Sequence, residues 1–261
     1  MKTLIKRVLR RLGLEIRRIP KKPCIPAPGS MHRPIGDVKM FLEDLQARGF
    51  DPKGIIDVGA NRGDWTRLAI SVFPRAKVLM IEPQREMQGH LEKLCLDNPN
   101  LKFVQAGAGR ETGQLVQTIW QDLAGSSFLP TPSEERLRNG TQRITPVVTI
   151  DSLVNARTDF LPDLVKLDIQ GFELEALKGS ASLFGRTQVF FLETSLYPFM
   201  KGMPVTAECI DFMTARDYEL YDVVEYRRRP LDGALGQIDL AFVMRDGVFR
   251  SSSIWESNPR T

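Results

Sequence analysis

Along the first half of the chain the apolar residues fall in short unbroken runs. "GIIDVGA" (54–60), "AKVLMIEP" (76–83) and "LKFVQAGAG" (101–109) do not alternate with polar positions, so each predicts a strand buried on both faces. Between them, "DWTRLAISVFP" and "QREMQGHLEKLCLDN" carry apolar residues at helical spacing. Upstream, "IGDVKMFLEDLQARGF" predicts a helix through Val38, Phe41, Leu42 and Leu45 that Gly49 stops. The order β-α-β-α-β with such strands predicts a parallel sheet covered by helices on both faces. Residues 111–150 break the rhythm. "GQLVQTIW" and "RITPVVTI" predict a hairpin, inserted after the third strand, that carries a polar Gly/Ser/Pro-rich loop. Ser126, Ser127 and Phe128 in that loop are candidates for a lid. "DSLVNAR" predicts a helix with Asp151 as its N-cap. A strand in "PDLVKLDIQG", a helix in "FELEALKGSASLF", a strand in "TQVFFLETS" and a helix in "AECIDFMTARDY" follow. "YELYDVVEY" and "GQIDLAFVMR" then close the body as a hairpin around "RRRPLDGAL".

The first 34 residues have a different character. In 1–19, Leu4, Ile5, Val8, Leu9, Leu12, Ile16 and Ile19 share one helical arc, and the Lys and Arg residues share the opposite one. This predicts a basic amphipathic helix, suited either to an anionic membrane surface or to packing on its own domain. The segment falls short of the roughly 20 apolar residues that span a bilayer. Residues 20–34 hold five prolines and read as a linker. The body is therefore expected over 35–250, with a polar tail at 251–261.

Charge changes its meaning once it is located. Residues 1–22 hold nine Lys/Arg and one acid, which leaves a net −4 on the rest of a chain whose total is +4. A mildly acidic body argues against a nucleic-acid-binding domain. The cysteines, Cys24, Cys95 and Cys209, are odd in number and far apart, and the only histidines are His32 and His90. Neither a disulfide framework nor a structural zinc site is expected, and a reduced, cytoplasmic setting is.

The chemistry gathers at the C-terminal ends of the predicted strands, where open α/β sheets bind ligands. Gly59 and Gly63 let a backbone approach a ligand and turn sharply into a helix, and the N–H groups of that turn could face an anion. Glu82 closes the second strand, and an acceptor-only carboxylate there suits two ribose hydroxyls. Ala60, Asn61, Pro83, Ala106 and Gly107 complete the expected cofactor contacts. A dinucleotide loop would carry a glycine where Asn61 stands. Asp57, two residues before Gly59, would repel a pyrophosphate but attract the ammonium of S-adenosylmethionine. Further along, Asp168 and Glu193 end two strands, and Glu173 opens a helix, where its charge also suits the dipole.

"IIDVGANRGDW", "VLMIEPQ", "VVTIDSL" and "VKLDIQGFELEALKGS…FLETS" together resemble the FkbM-type family of S-adenosylmethionine-dependent methyltransferases, from about Gly54 to Met244. The resemblance implies a seven-stranded, Rossmann-like class I methyltransferase sheet and O-methylation of hydroxyls on sugars or polyketide-type products. It assigns Asp57, Gly59, Asn61, Gly63 and Glu82 to the cofactor, and Asp168 and Glu173 to the border of the transferred methyl. One position departs: many members read D-x-E-G-x-E, and here Gln170 replaces the middle acid. The expected mechanism has Asp168 orient or deprotonate the acceptor, assisted by Glu193 or Glu173. No metal is expected. If one is used, Asp168 and Glu193 would hold Mg²⁺ or Ca²⁺ through oxygen. The expected acceptor is a sugar, glycan or lipid-linked saccharide, which "YRRRP" (226–230) could grip if it is acidic. The rival readings are a non-catalytic membrane-associated scaffold and a nicotinamide-dependent oxidoreductase.

Overall fold

A computed structural model describes residues 33–157 and 160–254 of the chain. The amphipathic segment 1–19, nearly all of the proline-rich linker and most of the polar tail lie outside the described residues. The body opens on helix α1 (Val38–Ala47), started by Asp37, whose side chain accepts from Met40 N–H at 2.8 Å. Strand β1 (Gly54–Val58), helix α2 (Asp64–Val72), strand β2 (Lys77–Ile81), helix α3 (Gln88–Asp97) and strand β3 (Leu101–Val104) follow in the predicted alternation. Next come the short β4 (Gly107–Ala108), β5 (Gly113–Thr118), helix α4 (Glu134–Arg138) and β6 (Gln142–Val148). The chain then runs through α5 (Ile150–Asn155), β7 (Leu164–Leu167), α6 (Glu173–Lys178), β8 (Val189–Ser195), α7 (Thr206–Thr214), β9 (Tyr218–Arg228) and β10 (Leu235–Met244).

Seven strands form one mixed sheet in the order β3-β2-β1-β7-β8-β10-β9. From β3 to β8 neighbouring strands are parallel, and β10 and β9 add an antiparallel edge. The unbroken apolar runs have the expected cause: successive residues feed two different cores. Ile55, Val78, Leu164 and Phe191 pack with α1, α2 and α3 on one face. Ile56, Leu79, Val165 and Phe190 pack with α5, α6 and α7 on the other. Each core fills with large side chains; Phe41 leans on Phe191 and Tyr218 on Phe190. Among the described residues no helix is long and apolar enough to cross a membrane.

Two local expectations are corrected. The predicted strand 101–109 is two strands. Ala106 N–H turns back to the Val104 carbonyl, and Gly107 and Ala108 leave the main sheet to pair in parallel with Val147 and Val148. A second sheet, β4-β6-β5, results, in which β5 and β6 form the antiparallel hairpin. Asp151 does not cap α5. Thr149 does, its hydroxyl accepting from Ser152 N–H at 3.1 Å. Asp151 lies in the first turn and accepts from the backbone and hydroxyl of Ser182 instead.

Candidate active site

The ends of β1, β2 and β7 and the segment after β3 surround a cleft of about 330 Å³. It is lined by Gly59, Ala60, Asn61, Glu82, Pro83, Ala106, Gly107 and Asp168 among the residues singled out in the sequence. The loop after β1 is built by contacts within the chain. Gly59 has φ +75°, and a Cβ there would sit 1.9 Å from the Asp168 carbonyl oxygen. Gly63, at φ +81°, starts α2, and a Cβ there would strike Leu94. The two glycines make room for the end of β7 and for α3, and Gly59 also lines the cleft while Gly63 does not. Four N–H groups of the loop are already used within the chain. Gly59 and Ala60 N–H donate to the Ile81 carbonyl, Gly63 N–H to that of Ala60, and Asn61 N–H to Glu82 Oε2 at 2.9 Å.

Asp57 does not line the cleft. Alternation along β1 turns it toward α2, where it is fully buried and accepts from the Thr66 hydroxyl at 2.7 Å. Its other oxygen lies 3.1 Å from Lys166 Nζ, directly across in β7. Lys166 is the residue that sequence reading missed. Its ammonium also donates to the Gly59 carbonyl at 2.9 Å and lies 3.7 Å from Asp168 Oδ2. Burial opposes its charge, but Asp57 and Asp168 beside it outweigh that and push its pKa up. One ammonium thus ties together the motif acid, the glycine turn and the acid at the end of β7. The signal was in the sequence: two apolar strands each carry one internal charge, of opposite sign.

Glu82 is buried at the cleft wall. Its oxygens accept one backbone N–H each, from Asn61 and from Gln84, both at 2.9 Å. Burial pushes its carboxyl above the usual range, although those N–H groups oppose the shift. A carboxylate oxygen accepts more than one hydrogen bond, so both retain capacity toward the cleft.

Of the three predicted catalytic acids only Asp168 lines the cleft. Glu173 turns away from it. Its Oε1 accepts from Ile169 and Gly171 N–H at 2.9 and 3.2 Å, clamping the loop between β7 and α6. Burial pushes this carboxyl up to about 7. Glu193 stands behind Asp168, and Gln170 joins them: its amide donates to Glu193 Oε2 at 2.9 Å and to Asp168 Oδ1 at 3.2 Å. Burial and the charges of Asp168 and Glu173 raise the Glu193 carboxyl well above its ordinary value. The acids continue across the sheet, because Asp239 of β10 is in register with Glu193 on one side and Glu225 on the other. Burial, then the Asp168 charge, pushes Asp239 up to about 7. Between Asp168 and Glu193, where a shared cation would sit, the bridging group is an amide donor. Among the described residues no group of three or more His, Cys, Asp or Glu is arranged to hold a metal ion.

The hairpin loop supplies the roof. Ala124, Ser126 and Phe128 line the cleft. Ser126 Oγ donates to Gln84 Oε1 at 3.3 Å, Ser127 Oγ donates to the Gln170 carbonyl at 3.0 Å, and Phe128 packs on Phe172. Gly107 lies under the Phe128 ring, so close that a Cβ would meet it at 2.6 Å. Trp65, which was unforeseen, and Arg227, from the "YRRRP" segment singled out in the sequence, complete the lining, and the buried Trp65 indole N–H has no partner among the described residues.

A family model described as the methyltransferase FkbM domain matches residues 57–220, more than half of the chain. Methyltransferase sdnD of Sordaria araneosa is 28% identical over an alignment of 153 residues that covers 48% of this chain and 59% of that one. The chain thus spans about three fifths of that curated relative. Among solved structures, methyltransferase FkbM from Methylobacillus flagellatus is 20% identical, covering 72% of this chain and 43% of that one, with a TM-score of 0.45. The O-methyltransferase TomG from Streptomyces achromogenes, involved in tomaymycin synthesis, is 12% identical over 93% of this chain and 88% of its own, with a TM-score of 0.47. By the family match, which runs from the acid of β1 through the acids that end β7 and β8, this chain is a member of the FkbM methyltransferase family.

Proposed function

We propose that the protein transfers a methyl group from S-adenosylmethionine to a hydroxyl oxygen of a sugar, glycan or lipid-linked saccharide. The observation that carries this reading is the shared lining: the free acceptor capacity of Glu82 and the carboxylate of Asp168 open into one cleft. The residues fit the cofactor. Glu82 can accept from the two ribose hydroxyls, and Ala106, with the Phe128 ring that covers Gly107, can wall the place of a base. The unpartnered Trp65 N–H, with Arg62 beside it in the lining, can donate to the amino-acid carboxylate. When bound, the cofactor supplies an electrophilic methyl on a sulfonium.

Asp168 then orients the acceptor hydroxyl. The Asp168 carboxylate would take the hydroxyl proton, while the cofactor would give its methyl to the acceptor oxygen and keep the C–S electron pair on sulfur. Positioning supplies much of the rate, and the base contributes on the order of 10²–10⁴. Lys166 and the Gln170 amide hold the two Asp168 oxygens in place. The net −4 outside residues 1–22 disfavours a nucleic-acid acceptor.

Calorimetric titration with S-adenosylmethionine and S-adenosylhomocysteine, beside Glu82→Gln and Trp65→Phe, tests the cofactor. Binding weakened by both substitutions is expected, and no binding by the folded wild type would leave a scaffold as the better reading. With binding established, Asp168→Asn is expected to cut product release from a sugar acceptor at least about 100-fold without weakening cofactor binding.

A further inference from the structure

At the mouth of the cleft two loops stand side by side. One is the segment after β8, "LYPFMK" (196–201), and the other is the tip of the β9–β10 hairpin, "YRRRPL" (226–231). They are joined by the Leu196 N–H to Gly236 carbonyl bond and by the Arg229 guanidinium, which lies 4.4 Å from the Tyr197 ring and 6.0 Å from that of Phe199. Their side chains are turned outward. Leu231 at the hairpin tip is 82% exposed, Phe199 48% and Tyr226 44%, with Leu196 and Tyr197 exposed beside them. Lys201, Arg227, Arg228 and Arg229 surround these apolar groups and outnumber the acids of the same hairpin end, Glu225 and Asp232. Arg227 reaches the cleft lining itself and makes no hydrogen bond or close ion pair among the described residues.

We propose that this rim is a docking surface for an anionic lipid bilayer, holding the mouth of the cleft against the headgroup layer. Exposed leucine and aromatic rings edged by cations match the boundary between acyl chains and headgroups, where apolar bodies insert and cationic heads stay with phosphate. The acidic remainder of the body makes the local excess of cations stand out, and such clusters seek negatively charged leaflets. A second copy is the poorer occupant, because a two-fold contact would press the same cations against each other. So large a cluster of exposed apolar groups calls for some partner. The surface rests on the proposed function only for its purpose, which is delivery of a lipid-linked saccharide to Asp168; docking itself involves no methyl transfer.

The test uses the full chain, with Leu231→Trp as a local reporter and the wild type as its fluorescence reference. Vesicles of mixed phosphatidylcholine and phosphatidylglycerol are compared with pure phosphatidylcholine. The expected result is a blue-shifted difference emission, quenched by brominated lipids and seen only with the anionic vesicles. Lys201→Gln and Arg228→Gln should each weaken co-sedimentation about fivefold, and added salt should weaken it further. Several outcomes overturn the proposal: no co-sedimentation, or co-sedimentation with position 231 unchanged, which would place the contact elsewhere in the chain. Soluble glycerol phosphate reproducing the emission change would make the rim a site for a free anion. A dimer in sedimentation velocity that Phe199→Ser dissolves would make it a contact between copies. Because no arm requires cofactor, failure here leaves the methyl-transfer reading to its own titration.

Discussion

Gln170 takes φ +55°, a rare conformation for a residue with a side chain, and from there its amide reaches the carboxylates of Asp168 and Glu193. A glutamate at that position would place a further negative charge between two acids. An amide instead gives each a donor, so the departure from D-x-E-G-x-E fits a working site. Gln170→Glu sets a further negative charge beside Asp168 and Glu193, should push the Glu193 carboxyl up further, and should change the pH–rate profile and lower the rate near pH 7 about tenfold. An unchanged profile would show that the amide only spaces the acids. Lys166 carries a prediction of stability. Lys166→Met leaves Asp57 buried without its cation and should cost about 3–5 kcal/mol in urea unfolding; adding Asp57→Asn should restore much of it. Sequence reading found the acids here but misjudged two of them. Asp57 and Glu173 carry the right charge, yet alternation along β1 and the turn after β7 aim them at Lys166 and at backbone N–H groups. Which way a side chain points depends on strand register, and register needs the neighbouring strand.

The elements of the main sheet were legible because each strand must satisfy two cores, which leaves unbroken apolar runs. The split between β3 and β4 was not, since "QAGAG" is as small and apolar as a strand end. Only the second sheet, formed with β6 much later in the chain, decides where it pairs. The cap of α5 illustrates the same limit: Thr149 and Asp151 both have capping chemistry, and Ser182 draws the acid away. The acidic row across β7, β8 and β10 has an effect that no single strand would show. Glu173 and Asp239 titrate near 7 when folded, with Glu82 and Glu193 also raised. The folded state therefore holds protons that the unfolded chain has released above about pH 4–5. The stability these groups contribute is complete below that point and is lost as pH rises through 7. Denaturant unfolding should show stability falling from pH 5 to pH 8, and Asp239→Asn should flatten the slope.

For the molecule as a whole, one face of the sheet rests on α1–α3, the other on α5–α7, and the cleft opens where the strands end. This plan was readable from element order, and the rule that open α/β sheets bind ligands at their strand ends pointed to where the cleft opens. The roof was legible only as a loop with lid-like composition, because its hydrogen bonds join residues about 40 positions apart. A ligand bound to the folded chain alone raises its stability by mass action. S-adenosylhomocysteine at about 100 times its dissociation constant should add about 2.7 kcal/mol and raise the melting temperature by about 5–11 °C. No shift would leave the cleft without its proposed occupant.

The contact between Ser127 and Gln170 has a kinetic consequence. The roof hangs from the same residue whose amide aligns Asp168 and Glu193. Lifting the roof to release spent cofactor therefore disturbs the acid pair, and rebuilding the pair brings the roof down. Under the proposed methyl transfer, reaction and exchange would be alternating states of one latch, with the sulfonium shielded whenever the base is ready. Turnover should then follow a compulsory order, with the demethylated cofactor leaving last. Product-inhibition patterns would show S-adenosylhomocysteine competing with the methyl donor and not with the acceptor, and Ser127→Ala would loosen that order before it slowed the chemistry.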